Sequence, residues 1–80
     1  MVTAAQCRAA RGLVEMSQSE LAVEAKVGES TVRNFEAGRS IPMTNNLDAI
    51  RNALEKAGVE FIPENGGGAG VRMAKRSKRR

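Results

Sequence analysis

The chain contains no histidine, tryptophan or tyrosine, and only one cysteine and two prolines in 80 residues. A single cysteine, Cys7, cannot close an intramolecular disulfide, and no CxxC or His-containing metal pattern exists. No metal and no cofactor are therefore expected. Cys7 reads as a small buried hydrophobe, with a reactive thiol as the alternative. A lone thiol fits a reducing cytosol. No apolar run approaches the ~18 residues of a membrane span, and the N-terminus lacks the basic-then-apolar pattern of a signal peptide. The expectation is a soluble cytoplasmic protein with no membrane partner. Enzyme chemistry finds no support either: no activated nucleophile motif and no paired carboxylates are evident, and the chain is small for a catalytic pocket.

What is present is small and aliphatic. Hydrophobic residues make up 41% of the chain, but the aromatics are only Phe35 and Phe61. A core of Ala, Val, Leu, Ile and Met suits closely packed short helices better than a sandwich or barrel. The net charge of +4 is unevenly spread. Residues 1–70 carry seven Lys/Arg against nine Asp/Glu, whereas the last ten carry six Lys/Arg and no acid. The basic character is a tail, so the overall charge says little about nucleic-acid binding by the domain. The tail reads as a solvated terminus or as a source of nonspecific phosphate attraction, with membrane attraction as a third reading that no amphipathic or lipidated anchor accompanies.

Along the chain, Thr3 to Val14 reads as a helix, with Thr3 as cap and Gln6 completing a capping box. Cys7, Ala10 or Arg11, and Val14 share one face. Ser17 and Glu20 form a second capping box, opening a short helix with Leu21, Ala22 and Ala25 inward and an end near Lys26. A third helix runs from about Glu29 to Ala37, with Val32, Phe35 and Glu36 inward and Gly38 just past its end. Pro42 lies in the following loop. Asn45 or Asn46 can cap a fourth helix, whose apolar stripe is Leu47, Ile50, Leu54 and Ala57. Val59–Ile62 and Gly70–Met73 read as two strands joined by a Pro- and Gly-rich turn around Asn65-Gly66. A lone hairpin is marginal in water and needs the helices or a partner chain to cover it. Ala74 to Arg80 reads as disordered.

Residues Ser17 to Gly38 pack two short helices across a tight turn. Ala22 is small where helices approach, Val27 plugs the turn, and Val32 and Phe35 anchor the second helix to the first. Such a unit presents one exposed helix of a size that fits the major groove of B-DNA. In Ser17-Gln18, Leu21-Ala22, Val27, Ser30-Thr31-Val32, Phe35-Glu36, Gly38 and Pro42, the chain resembles the XRE family of helix-turn-helix regulators, the phage repressor and Cro type. The resemblance covers residues 3–73. The flanking stretches Gln6–Arg11, Gly58–Ile62 and Glu64–Gly68 resemble a compact proteobacterial branch of that family.

The resemblance implies a mostly α, lambda-repressor-like DNA-binding domain: four to five short helices with a small C-terminal β-hairpin. The expected organisation is a DNA-binding domain over 1–58, a hairpin over 59–73 as a possible dimerisation element, and a basic tail over 74–80. It implies that Gln18 contacts a phosphate or supports a base-reading side chain. It places Glu29, Ser30, Arg33 and Asn34 where base edges are read, and Thr31, Arg39 and Ser40 where the backbone is contacted. The chemistry agrees: Arg can bond bidentately to guanine, Asn to adenine, and Glu can accept from cytosine N4. Hydroxyls suit phosphates. The resemblance also pairs Arg11 with Glu36 as a structural ion pair. Arg8 reads as solvated. Two residues depart from the family pattern. Lys26 stands where glycine is usual, at a turn position that needs a left-handed residue. Gly28 stands where a Ser, Thr or Asn would cap the third helix.

The function implied is sequence-specific binding of double-stranded DNA by a transcriptional repressor. A homodimer on an inverted repeat is expected, with Val59, Phe61, Ile62 and Val71 contributing to the interface. In a bacterium such a protein is cytoplasmic, and nucleoid-associated when bound to DNA. Two alternatives stay open: a DNA-binding antitoxin or mobile-element regulator that also binds a protein, and a protein-interaction module that binds no DNA.

Overall fold

Two capping boxes open the first two helices in a computed structural model, which describes residues 2–64 and 66–74. Helix α1 spans Ala4–Val14, α2 Gln18–Ala25, α3 Glu29–Glu36 and α4 Thr44–Lys56. Strands β1 (Val59–Ile62) and β2 (Gly70–Met73) follow. Thr3 Oγ1 accepts the Gln6 N–H at 3.1 Å, and Gln6 Oε1 accepts the Thr3 N–H at 2.9 Å. Ser17 and Glu20 repeat this at 3.0 and 2.8 Å. Each box satisfies two N–H groups that a helix start would otherwise leave open.

The first three helices end alike. In each, an N–H reaches back five residues: Met16 to the Arg11 carbonyl at 3.0 Å, Val27 to Ala22 at 3.0 Å, and Arg39 to Asn34 at 2.9 Å. This closure demands a left-handed residue just before the returning N–H. Those residues are Glu15 (φ 56°), Lys26 (φ 60°) and Gly38 (φ 78°). The expected left-handed Lys26 is thus present, and Glu15 adopts the same conformation without any glycine-like signal in its sequence. Only Gly38 has no Cβ to strain the turn.

The core is built from Leu21, Val32, Ile50, Leu54 and Cys7, all fully buried, joined by Ala10, Ala22, Ala25, Phe35 and Leu47. The small residues on α2 let α3 and α4 approach it closely. Two expectations for α4 fail. Its N-cap is Met43, with no side-chain bond, so the helix begins at Thr44, ahead of Asn45 and Asn46. Asn45 instead bonds locally to the Asn46 N–H. Ala57 is the exposed C-cap, and Ala53, three residues after the buried Ile50, packs against the core in its place.

The two strands pair antiparallel, with Val59 opposite Met73, Glu60 opposite Arg72, Phe61 opposite Val71 and Ile62 opposite Gly70. Alternation puts Val59, Phe61, Val71 and Met73 on one face. Val59 is buried, and Phe61 and Val71 pack partly against the helical core. The Arg51 guanidinium lies 5.7 Å from the Phe61 ring centre, within cation–π range. On the other face, Arg72 grips Glu60 with two bonds of 3.1 Å. The buried Gln6 amide locks the hairpin to α1: its Nε2 donates to the carbonyls of Gly70 at 2.9 Å and Ile62 at 3.3 Å. The helices therefore supply the cover that an isolated hairpin lacks. Ala74, expected in the disordered tail, extends the pairing with an N–H bond of 2.7 Å to the Gly58 carbonyl. Residues 75–80, and Asn65, on which the expected turn was centred, lie outside the described residues.

Candidate nucleic-acid interface

One buried carboxylate ties the end of α3 to α1 and α2. Glu36, the last residue of α3, is 3% exposed. Arg11 meets it with two bonds of 2.7 Å, from Nε to Oε2 and from Nη2 to Oε1. Gln18 Nε2 donates to Oε1 at 3.0 Å, and the Cys7 thiol donates to Oε2 at 3.1 Å. Burial pushes the Glu36 pKa up, but the bonds from Arg11, Gln18 and Cys7 and the charge of Arg11 outweigh it, so the carboxyl titrates below its ordinary value. Burial, and then the neighbouring carboxylate, push the Cys7 thiol far above its ordinary value. Cys7 is therefore a protonated donor, inert as a nucleophile.

Arg8, read from the sequence as solvated, instead donates from Nη1 to the Glu36 main-chain carbonyl. This puts a cation at the negative end of α3. Arg11 Nη1 also holds the Met16 carbonyl at 2.9 Å, tying α1 to the start of α2. Two elements, α1 and α2, thus converge on the end of α3.

With Val32, Phe35 and Glu36 buried, the opposite face of α3 must point outward. Glu29, Ser30 and Arg33 are exposed on it, and Thr31 and Asn34 are half-buried at its edges. Arg33 Nη2 lies 3.6 Å from Glu29 Oε2 across one helical turn. Arg39 and Ser40 are exposed in the segment that follows, and Arg39 Nη1 donates to Asn34 Oδ1 at 3.2 Å. The structure therefore gathers seven of the eight expected contact residues on α3 and its C-terminal extension. The eighth, Gln18, sits at the first position of α2, half-buried, with its amide nitrogen committed to Glu36. Gly28 opens α3 without a side-chain cap bond.

A short outward helix braced against a second across a tight turn is the geometry of a major-groove reader. The helix-turn-helix family's own model matches residues 8–61. The chain belongs to this helix-turn-helix family of DNA-binding regulators. That is the XRE-type family, a family of DNA-binding regulator domains. No curated protein matches the chain. Among the described residues no group of three or more potential metal ligands lies together, and no helix is long and apolar enough to cross a membrane.

Sequence reasoning missed what two residues of α1 do: Arg8 meets the end of α3, and Gln6 ties α1 to the hairpin. Arg8 carries no local signal that distinguishes it from a solvated arginine. Gln6 is explained locally by its capping box, which hides the second use of its amide.

Proposed function

We propose that this helix-turn-helix protein is a transcriptional repressor that binds a specific double-stranded DNA sequence as a homodimer on an inverted repeat. The observation that carries the reading is the outward face of α3, where Glu29, Ser30 and Arg33 stand exposed while Val32, Phe35 and Glu36 are buried. Glu29 and Arg33 offer an acceptor and a donor fork side by side. Cytosine N4 can donate to the first, and guanine O6 and N7 can accept from the second. Reading of G·C pairs follows from that chemistry. Repression requires only that the domain occupy promoter DNA, which is in the bacterial cytoplasm.

Dimer formation is proposed because eight helical residues reach only a few base pairs, and a second copy doubles the site. Val59, Phe61 and Val71 already pack within their own chain, so the hairpin offers a second copy its open strand edge, the partly exposed Ile62 and the exposed Met73. Sedimentation of Ile62→Glu is expected to show monomer where the parent is dimer. A dimer that survives the change would place the contact elsewhere. Arg33→Ala is expected to lower affinity for the preferred duplex by roughly tenfold or more, with the helical spectrum unchanged. Unaltered binding would refute reading by α3.

A second reading has its own observation. Ile41 and Met43 are 78% and 75% exposed, beside an apolar groove lined by Val2, Ala4, Phe35 and Leu47. Exposed large apolar side chains of this kind suit a protein contact. They favour an antitoxin or mobile-element regulator that binds DNA and also a protein partner. A defined partner co-purifying with the parent but not with Ile41→Asp would support this reading, and its retention by that variant would refute it.

A further inference from the structure

The outer edge of β2 and one face of α1 adjoin, and no element covers either among the described residues. The sheet has only the two strands, with α4 against β1 and α1 chiefly against β2. The Ala74 N–H bonds the Gly58 carbonyl, so the hydrogen-bonded pairs alternate from there to Glu60–Arg72 and Ile62–Gly70. Alternation turns the N–H and C=O of Val71 outward along β2. No turn, cap or third strand bonds them among the described residues. Beside this edge α1 exposes Ala5, Ala9, Gly12 and Leu13, which share one helix face and carry no charge. Gln6 locates that face. It holds the Gly70 carbonyl at 2.9 Å, and Ala9 and Leu13 follow it by three and seven residues. Arg8 and Arg11 turn the other way, to Glu36. Gly12 has no explanation within the chain. A glycine weakens a helix, and a Cβ at this position would meet nothing within 4 Å. It leaves room for a close approach from outside the chain.

We propose that a second copy of the chain docks on this joint surface. Strand β2 pairs antiparallel with β2 of the second copy about a two-fold axis at Val71, and α1 packs on α1 through Ala5, Ala9, Gly12 and Leu13. The inference rests on the homodimer reading given above and names its contact. A closed two-fold contact needs a surface that complements itself. An uncharged helix face meets that condition, and so does an unpaired strand edge. Charge sets the register. Centred on Arg72, the pairing would put Arg72 opposite Arg72 of the second copy, and like charges directly opposite are destabilising. Centred on Val71, it puts Arg72 opposite Gly70, which has no side chain, and leaves Arg72 on its own Glu60. It also aligns Phe61 and Val71 with their copies in one apolar row. The same axis keeps the helices of both copies on one side of the joined sheet, with α1 beside α1. Paired strands lie only ~5 Å apart, so the helices beneath them must come close, and the small side chains of α1 permit it.

The test combines sedimentation and cross-linking of the full chain. The parent is expected to sediment as a dimer and Ala9→Glu as a monomer at the same concentration, with an unchanged helical spectrum because Ala9 is exposed. Val23→Glu, which removes an exposed apolar side chain from α2, should remain a dimer. In the proposed register Gly70 and Arg72 of the second copy form a non-hydrogen-bonded pair, with Cα atoms ~4.5 Å apart, within disulfide range. Gly70→Cys and Arg72→Cys chains mixed under oxidised glutathione should therefore cross-link to one another, while neither does so alone. Cys7 is buried and takes no part. Cross-linking of Arg72→Cys with itself, or a dimeric Ala9→Glu with no mixed cross-link, would overturn the proposal and leave the homodimer to another contact. A parent that is monomeric both free and on its selected duplex would overturn this inference and the homodimer reading together. A mixed cross-link in a protein that selects no inverted repeat would uphold the interface and refute the operator reading.

Discussion

Arg11–Glu36 and Glu29–Arg33 are both Arg–Glu pairs on the helix-turn-helix, yet they do different things. The first has a carboxylate 3% exposed, in bonds of 2.7 Å, with Gln18 and Cys7 donating to the same two oxygens. The second is about half exposed on both sides, at 3.6 Å. Burial decides the difference. A desolvated carboxylate must keep its partners, so Glu36 fixes how α1, α2 and α3 meet. A solvated pair gains little from its own attraction and can exchange it for DNA. The fold holds one pair shut so that the other can be presented at a defined angle.

Breaking the buried pair gives the largest expected effect. Glu36→Ala should destabilise the fold by about 3–5 kcal/mol, because the partly buried Arg11 then loses its partner and Gln18 and Cys7 lose their acceptor. Urea denaturation measures this. Replacing both residues, as Arg11→Met with Glu36→Leu, should be less damaging than removing Glu36 alone, and that sharpens the contrast.

Acid tests the same pair without mutation. The folded Glu36 pKa lies below its ordinary value of 4.5. Its contribution is therefore complete above that value, and is lost as pH falls from there through the folded pKa. Melting temperature should drop across this window in the parent and less steeply in Glu36→Gln.

Gln6→Ala is expected to destabilise by about 1–3 kcal/mol, since the Thr3 N–H and two hairpin carbonyls lose their partner. Hydrogen exchange should quicken first in β1 and β2. Lys26→Gly should stabilise by about 1 kcal/mol by relieving the left-handed strain at the turn, read as a raised urea midpoint. Glu29→Gln should move stability by less than about 0.5 kcal/mol, while altering base preference in the bound DNA. A large stability loss there would erase the distinction between the two pairs.

Much of this arrangement is legible in the sequence because it is local. Thr3 with Gln6, and Ser17 with Glu20, announce their helices at a spacing of three. Leu21, Ala22, Ala25, Val32 and Phe35 declare their inward faces by periodicity. The left-handed position at Lys26 is legible only through the family resemblance. What the sequence conceals is long-range. The two hairpin carbonyls that Gln6 reaches are 56 and 64 residues away, and nothing near Gln6 signals them. Glu15 is left-handed because α1 must close and hand over to Ser17, a demand of packing that overrides residue preference. Asn45 and Asn46 look like caps, but the cap is Met43, two or three residues earlier, and it makes no side-chain bond that residue type could announce. The Asn34–Arg39 contact is hidden in the same way: only the backbone turn at Gly38 brings the Arg39 guanidinium to the Asn34 amide oxygen.

The central claim is that the outward face of α3 reads DNA sequence. Selection from a random duplex pool, with parent and Arg33→Ala run side by side, tests it most directly. The account predicts an enriched inverted repeat for the parent, and loss of preference at a G·C pair in each half-site for the variant. Enrichment of the same repeat by both proteins, or binding with no enriched sequence at all, would contradict it.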